Sequence, residues 1–204
     1  MLRASPALFE SRWLDRLTRV RPIVPPLIFG PVILLCAAAA VDHLGTWSIV
    51  FTLAGGYGFW TLAEYWVHRV VFHLEPRSRF GGRLHFIIHG VHHDHPNDPL
   101  RLVMPPIMTI PLGAAFFGLF VLAVGLPRAW GVGVGFFAGY LFYDMLHYRL
   151  HHTKPNGRLG RWLRQLHMRH HFEDDTTWFG VSAPWWDRVF GTSGHSTAPV
   201  KRNP

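Results

Sequence analysis

The stretch AWGVGVGFFAGYLFYDMLH, residues 129–147, is apolar over the length of a membrane span and ends in a histidine. Crossing a hydrocarbon core of ~30 Å takes ~20 residues of helix. Three other apolar stretches precede it, over residues 25–41, 46–67 and 103–126. A long polar segment separates the second from the third, whereas the other gaps are short, so the stretches pair as two helical hairpins. The sequence therefore predicts an all-α integral membrane protein with four transmembrane helices, although the short first stretch also fits a re-entrant hairpin with the second.

The overall composition agrees with one membrane domain. The chain has 204 residues, of which 49% are hydrophobic, and its mean hydropathy is positive. These values indicate a single domain that is more apolar than an ordinary soluble protein. Cys36 is the one cysteine, which excludes an internal disulfide and a cysteine-built zinc site. The net charge of +8 suits nucleic-acid binding, but long apolar runs interrupt the 20 basic residues, which favours the flanks of membrane segments.

The positions of the basic residues predict the orientation of the four helices. Every Lys and Arg except Arg128 falls on the side that holds both termini and the segment between the two hairpins. Basic residues are enriched on the cytoplasmic side of membrane proteins. We therefore expect a multi-pass protein whose termini and central segment are cytoplasmic.

The ends of the chain are assigned to the same single domain, residues 1–204. Residues 1–24 are predicted to form an interfacial amphipathic segment, although an ordinary surface helix fits equally well. This segment lacks the short apolar core and cleavage site of a signal peptide. Residues 193–204 are interpreted as a tail. The predicted apolar side of the N-terminal helix consists of Leu8, Phe9, Trp13, Leu17 and Val20, opposite Arg12, Arg16 and Arg19.

Histidine is the residue type that points to chemistry. The chain has 15 histidines against 12 acidic residues, and neutral imidazole is the commonest protein ligand for metals. Ten of them form four clusters at or just beyond the cytoplasmic ends of the predicted spans. We therefore expect a cytosolic helical cap that carries a site for two metal ions. The candidate ligands are His68, His73, His89, His92, His93, His147, His151, His167, His170 and His171.

The spacing within the clusters predicts how the imidazoles are arranged. Offsets of three and four residues place side chains on one helical face, so each cluster of three and the pair His147 and His151 can aim at one point. The offset of five between His68 and His73 separates their rings by ~140° on an α-helix. These two therefore serve different ions or straddle a helix end. Ten imidazoles exceed the four ligands of one tetrahedral zinc, whereas two ions with about five ligands each leave a position open for water or dioxygen.

Carboxylates near the clusters are candidate hydrogen-bond acceptors for ligand imidazoles, since a ligating ring usually donates its other N–H. Glu64 and Asp144 lie within apolar spans, where an unpaired charge is costly, and Asp174 and Asp175 follow His171. Each of the four also fits a solvated charge at a helix end. The other five histidines are interpreted as ordinary surface or hydrogen-bonded residues: His43, His85, His95, His152 and His195. Two of them, His85 and His152, adjoin the clusters and are also candidate substitute ligands.

Four motifs extend this pattern over residues 64–192: EYWVHRVVFH (64–73), HGVHHDHPNDPLRLVMPP (89–106), YDMLHYRLHH (143–152) and FGVSAPWWDRVFGT (179–192). Together they resemble the fatty acid hydroxylase superfamily of histidine-box membrane oxygenases, especially its fatty acid 2-hydroxylase branch. The resemblance implies the same ten histidines as ligands of two iron ions, with zinc possible in purified samples. It also implies dioxygen as co-substrate. No catalytic residue beyond the metal centre is assigned.

The resemblance further predicts the substrate and the partners. A metal pair near the membrane surface reaches carbons close to a lipid head group, which favours the 2-position of a fatty acyl chain, as in ceramide. No fused cytochrome-b5-like domain precedes the motifs, so we expect a separate electron carrier that is cytochrome b5-like, a ferredoxin or similar, and no nucleic acid partner. The candidate residues of an acyl channel are Phe136, Phe137, Tyr140, Phe142 and Tyr143, which also suit plain packing.

Other functions fit the sequence less well. A hydroxylase or desaturase of another lipid, such as a sterol or an aminolipid, would use the same oxidant. A histidine-rich metal transporter would hold its ligands near the bilayer midplane on broken helices, whereas these histidines lie at the ends of spans. A membrane zinc protease is disfavoured because the His-Glu-x-x-His motif is absent.

Overall fold

The computed structural model describes residues 5–73, 76 and 78–194, and over these residues the chain is helical with no strand. Four long helices form the body, and short helices follow or connect them. Two of the short segments, here named π1 and π2, are π-helices. In chain order the elements are α1 (Arg12–Leu17), α2 (Val24–His43), α3 (Thr46–Trp66), π1 (Val67–Phe72), α4 (Arg79–His85), π2 (Phe86–Gly90), α5 (Val91–Asp94), α6 (Pro106–Val124), α7 (Leu126–His152), α8 (Arg158–Phe172) and α9 (Trp185–Val189).

Prolines and one glycine set the ends of the long helices. Prolines occupy the first turns of α2, α6 and α7, where the missing N–H would have no partner in the helix anyway. Gly125 alone separates α6 from α7 and has a φ of 79°. A left-handed residue of this kind favours glycine, so the second hairpin turns within one residue.

Helix α7 lies at the centre of the bundle and packs most extensively on α3, then on α2 and α6. Glycines make the contact with α3 close: a Cβ on Gly135 would lie 2.6 Å from Tyr57 N, and one on Gly56 would lie 2.9 Å from Val132 C. Small residues let helix backbones approach in this way in membrane bundles. The buried core beside the contact is aromatic and includes Phe136.

The four predicted apolar stretches all form helices with nearly the predicted bounds. Within the described residues, α2 and α6 are both long and apolar enough to cross a membrane. Helices α3 and α7, at ~1.5 Å per residue, are also longer than ~30 Å, but their sequences are less hydrophobic because they face the bundle with glycine and polar residues. By length and composition, the described residues therefore contain two candidate membrane spans, whereas the sequence predicts four.

The N-terminal helix is shorter than predicted, and its apolar residues do not share one surface. Trp13 is 67% exposed, whereas Val20 is 5% exposed and donates its N–H to Leu100 O at 2.7 Å. An ion-pair network fastens this segment to the loop before α6: Arg101 contacts Asp15 at 2.7 Å, and Arg19 contacts Asp98 at 3.3 Å. Residues 1–4 of the predicted interfacial segment and residues 195–204 of the predicted tail lie outside the described residues.

Candidate metal centre

The ten candidate histidines, which come from four separate segments of the chain, converge into two groups of five. In each group, one ring nitrogen from every member lies within 4.8 Å of the corresponding nitrogens of the others. We call these sets group A and group B. Group A consists of His68, His73, His89, His93 and His170, and group B of His92, His147, His151, His167 and His171.

Each cluster of three is divided between the two groups, which differs from the expectation that it aims at one point. His89 and His93 belong to group A, and His92 belongs to group B. On an α-helix the residue at i+4 is rotated ~40° from residue i, whereas the residue at i+3 is rotated ~60° the other way. Two neighbouring sites can therefore share one helix. The cluster on α8 follows the same rule, with His167 and His171 in group B and His170 in group A.

The offset of five residues between His68 and His73 is accommodated by a π-helix at the end of α3. His68 lies in π1, and His73 follows its last residue. Because a π-helix pairs residue i with residue i+5, both imidazoles reach group A. The two residues thus straddle a helix end, as one of the two predicted alternatives has it, and their ring nitrogens lie in the same group. The second π-helix, π2, carries His89.

Backbone carbonyls orient two of the imidazoles. His68 Nδ1 donates to Phe179 O at 2.6 Å, and His170 Nδ1 donates to Thr177 O at 2.6 Å. A carbonyl only accepts, so the proton is on Nδ1 and Nε2 is the unprotonated nitrogen. Both Nε2 atoms are buried and have no hydrogen-bond partner among the described residues. This arrangement leaves a lone pair on each ring available for a metal.

The donor set fits transition-metal ions. Ring nitrogens lie within reach of a shared ion: the Nε2 atoms of His151 and His167 are 2.7 Å apart, and those of His89 and His93 are 3.0 Å apart. Burial is the largest cause of a low pKa at His93, and together with neighbouring imidazoles, His170 first, it lowers that pKa to about 2. These rings are therefore neutral near pH 7, which is the form that binds metals. Five imidazoles per group suit iron, zinc, copper or nickel rather than magnesium or calcium.

Within the described residues, none of the four candidate carboxylates accepts a hydrogen bond from a candidate ligand imidazole. Glu64 accepts hydrogen bonds from the N–H and the hydroxyl of Ser182. Asp144 accepts from Tyr140 and from Met104 N, each at 3.4 Å. The imidazoles of His68 and His170 donate instead to backbone carbonyl oxygens, which no side-chain pattern in a sequence predicts.

The two acidic residues after α8 are exposed. Asp174 accepts from the N–H and hydroxyl of Thr176 and so shapes the turn that follows the helix. Burial lowers the pKa of His170, whereas the negative charges of Asp175 and Asp174 raise it. Their influence on the site is therefore electrostatic rather than through a hydrogen bond to the ring.

The remaining described histidines stand outside both groups. His85 Nε2 forms a hydrogen bond with Phe72 O, and the His152 ring packs against Tyr148 at a centroid distance of 4.5 Å. His43 is exposed at the end of α2. His195 lies outside the described residues.

An apolar pocket between α2, α3, α6 and α7 leads toward the histidines. Four of the five channel candidates named from the sequence line it, namely Phe136, Phe137, Tyr140 and Tyr143. The fifth, Phe142, is 51% exposed. A neighbouring pocket shares Phe72, Met104 and Tyr143 with the first. It is also lined by three histidines of groups A and B, namely His89, His92 and His147. Met104 and Trp60 also line the pocket, but no sequence pattern identifies them because their place depends on packing between helices.

Comparison with known proteins finds fatty acid and ceramide hydroxylases. Residues 53–192 match the model of the fatty acid hydroxylase family. The dihydroceramide fatty acyl 2-hydroxylase FAH1 of Arabidopsis thaliana is 37% identical over 96% of this chain and 83% of that protein. The ceramide very long chain fatty acid hydroxylase SCS7 of Saccharomyces cerevisiae is 34% identical over 98% of this chain and 52% of that protein.

A solved structure of a hydroxylase is also similar to this chain. In the structure of full-length scs7p only the hydroxylase domain is visible, and it matches with a TM-score of 0.87. The match covers 92% of this chain and 72% of that chain at 35% identity. The helical bundle described above is therefore similar to an experimentally determined architecture.

Proposed function

The chain belongs to the fatty acid hydroxylase family, and from this premise we propose that it hydroxylates the 2-position of a fatty acyl chain in a membrane lipid such as ceramide. The family predicted from the histidine motifs is thereby confirmed, and the protein is an oxidoreductase that acts on fatty acyl lipids. The names of the relatives, which include dihydroceramide and ceramide hydroxylases, support this substrate class. The observation that carries the proposal is the convergence of ten imidazoles into two groups beside an apolar pocket.

We propose that groups A and B each hold one iron ion. The neutral, buried rings and the unpaired Nε2 atoms of His68, His73, His147 and His170 support this assignment. Bound iron would supply the activation of dioxygen that attack on an unreactive C–H bond requires. The overall reaction consumes one dioxygen, two electrons and two protons, and it yields the hydroxylated lipid and one water.

The pocket explains why the 2-position is favoured. An acyl chain lying among the apolar side chains would be shielded from water, and its movement would be restricted by Phe136 and Trp60. The end shared with the histidine-lined pocket lies at Met104 and Tyr143. Carbons at that end come nearest to the metal groups, and in a lipid whose head group stays at the membrane surface these are the carbons next to the carboxyl or amide.

The membrane arrangement is part of the same proposal. We propose that α2, α3, α6 and α7 span the bilayer as two hairpins and that the short helices and α8 form a cytosolic cap. The excess of Lys and Arg on one side supports cytoplasmic termini. Single-domain organisation over residues 1–204 remains a prediction. The two electrons would come one at a time from a separate carrier, such as a cytochrome b5-like protein or a ferredoxin.

The test is lipid mass spectrometry of a host whose own lipids lack 2-hydroxy acyl chains. Expression of the chain should add one oxygen to acyl chains, and fragmentation should place it at the 2-position. His170→Ala should abolish the product, whereas His43→Ala, at an exposed histidine outside both groups, should keep it. A new double bond, an oxygenated sterol or a hydroxyl elsewhere on the chain would contradict the proposed reaction.

A further inference from the structure

The turn after α8 contains an unusual backbone conformation. Trp178 has a φ of 59°, and it is the one residue other than glycine with positive φ in the described part of the chain. This left-handed conformation is costly for a residue with a Cβ and persists where the surroundings hold it in place. Its two neighbours, Thr177 and Phe179, provide the carbonyls that accept from His170 and His68. The reversal at Trp178 therefore lies between the two carbonyls that serve group A.

Asp187 fastens this turn. Its side chain is fully buried, and its Oδ1 accepts from Phe179 N at 2.8 Å while its Oδ2 accepts from Gly180 N at 2.9 Å. Trp178 N donates to Thr192 O at 3.0 Å. The peptide groups on both sides of Phe179 are thus held, and the second of them contains the Phe179 carbonyl, which therefore has little freedom to turn away from His68.

The same network connects the turn to the helix that leads to His68. Thr192 Oγ1 lies 2.8 Å from Asp187 Oδ1 and 2.9 Å from Tyr65 OH. A carboxylate only accepts, so the threonine hydroxyl donates to Asp187 and accepts from Tyr65. Tyr65 precedes His68 by about one turn. The acceptor carbonyl and the imidazole that donates to it are therefore held in one framework.

We propose that Asp187 is a positioning residue for group A: it holds the left-handed turn at Trp178 so that two carbonyls orient His68 and His170 toward one metal ion. The inference rests on the proposed metal binding and adds a difference between the two sites. Both supported rings belong to group A, so loss of the turn should weaken that ion and spare the ion of group B. Removing the hydrogen-bond partner of a ligating histidine typically costs 10–100-fold in metal affinity.

Asp187→Asn tests this directly. An amide keeps the shape of the carboxylate, but its nitrogen cannot accept, so one of the two backbone N–H groups loses its partner. The purified protein would be equilibrated with graded concentrations of a chelator, and the number of metal ions that remain bound per chain would be measured. We expect one of the two ions to be lost roughly 10–100-fold more readily than from the unchanged protein, with the other unaffected.

Asp98→Asn is the matched control. Asp98 is also a buried carboxylate that accepts from backbone N–H groups, those of Ser5 and Leu100, but it belongs to the N-terminal network. This variant should keep both ions at unchanged affinity. Equal weakening of both ions in Asp187→Asn would indicate a general loss of structure and would overturn the assignment to group A.

Combined variants identify which ion is affected. His68→Ala removes a group A ligand, so adding Asp187→Asn to it should cause little further loss. His147→Ala removes a group B ligand, so the same addition should leave both ions weakly held. The reverse pattern would overturn the proposal.

A pair of changes at Trp178 tests the backbone itself and decides the question if Asp187→Asn does not fold. Glycine adopts positive φ readily, whereas a β-branched residue strongly resists it. Trp178→Gly should therefore keep both ions, and Trp178→Val should weaken the group A ion, although both remove the indole. Equal behaviour of the two would refute the role of the turn. Absence of tightly bound metal from the unchanged protein would instead refute the proposed function.

Discussion

Gly56 lies where α3 comes closest to α7, and its replacement by alanine should separate the two helices. The new Cβ would overlap Val132 O and would lie 2.9 Å from Val132 C, against at least 3.4 Å for an ordinary contact. The backbones must therefore move apart by more than about 0.5 Å. The position of the Cβ is fixed by the α3 backbone and the Val132 atoms belong to the α7 backbone, so no side chain can rotate to relieve the overlap.

The magnitude follows from two opposing effects. Overpacking in a tight core costs ~1–3 kcal/mol, and backbone overlap belongs at the upper end of that range. Alanine in place of glycine gains ~1 kcal/mol of helix propensity. The net loss is ~2 kcal/mol, which corresponds to a fall in Tm of ~4–8 °C for a chain of this size. Because α3 leads to His68 and α7 carries His147, the same movement should weaken metal binding.

The assay is thermal unfolding of purified protein in detergent, followed by tryptophan fluorescence. Gly55 provides the control in the same helix, because a Cβ there meets nothing within 4 Å. Gly55→Ala should gain the helix propensity alone and raise Tm by ~2–4 °C. The reasoning is refuted if Gly56→Ala is as stable as Gly55→Ala, since the sign of the difference depends on the close approach of the two backbones.

Two further predictions concern acid and metal. Burial raises the pKa of Asp15, but hydrogen bonds from Leu8 N, Arg19 and Arg101 outweigh this and lower it to about 2. The stabilisation by this carboxylate is complete above its ordinary pKa of 3.8 and is lost as the pH falls through about 2. Amide hydrogen exchange of residues 5–20 should lose protection as the pH falls from 3.8 to about 2, and Asp15→Asn should abolish this loss. Protection that stays constant over this pH range in the unchanged protein would contradict the prediction. Chelation of both metal ions should inactivate the enzyme, Fe(II) with a reductant should restore turnover, and Zn(II) should fill the sites without activity because it has no redox chemistry. Turnover by metal-free protein would refute the metal assignment.

The sequence was sufficient for the four long helices, the family and the set of candidate ligands. The helix bounds follow from local hydropathy and from prolines that start helices, so residues 103–126 already indicate α6 and residues 129–147 most of α7. The histidine spacing and the FGVSAPWWDRVFGT motif identify the family because they are patterns of residue types along the chain. These properties do not depend on which segments meet in space.

The tertiary structure alone decided how the ligands are shared and held. The i+3 and i+4 offsets fix angles around one helix, but they do not determine that His92 faces α7 while His93 faces π1. The acceptors for His68 and His170 are backbone carbonyls, which every residue possesses, so no side-chain pattern announces them. Glu64 pairs with Ser182, 118 positions away, rather than with an imidazole. Such pairings arise when four distant segments pack together, and their relative placement is a property of the whole bundle.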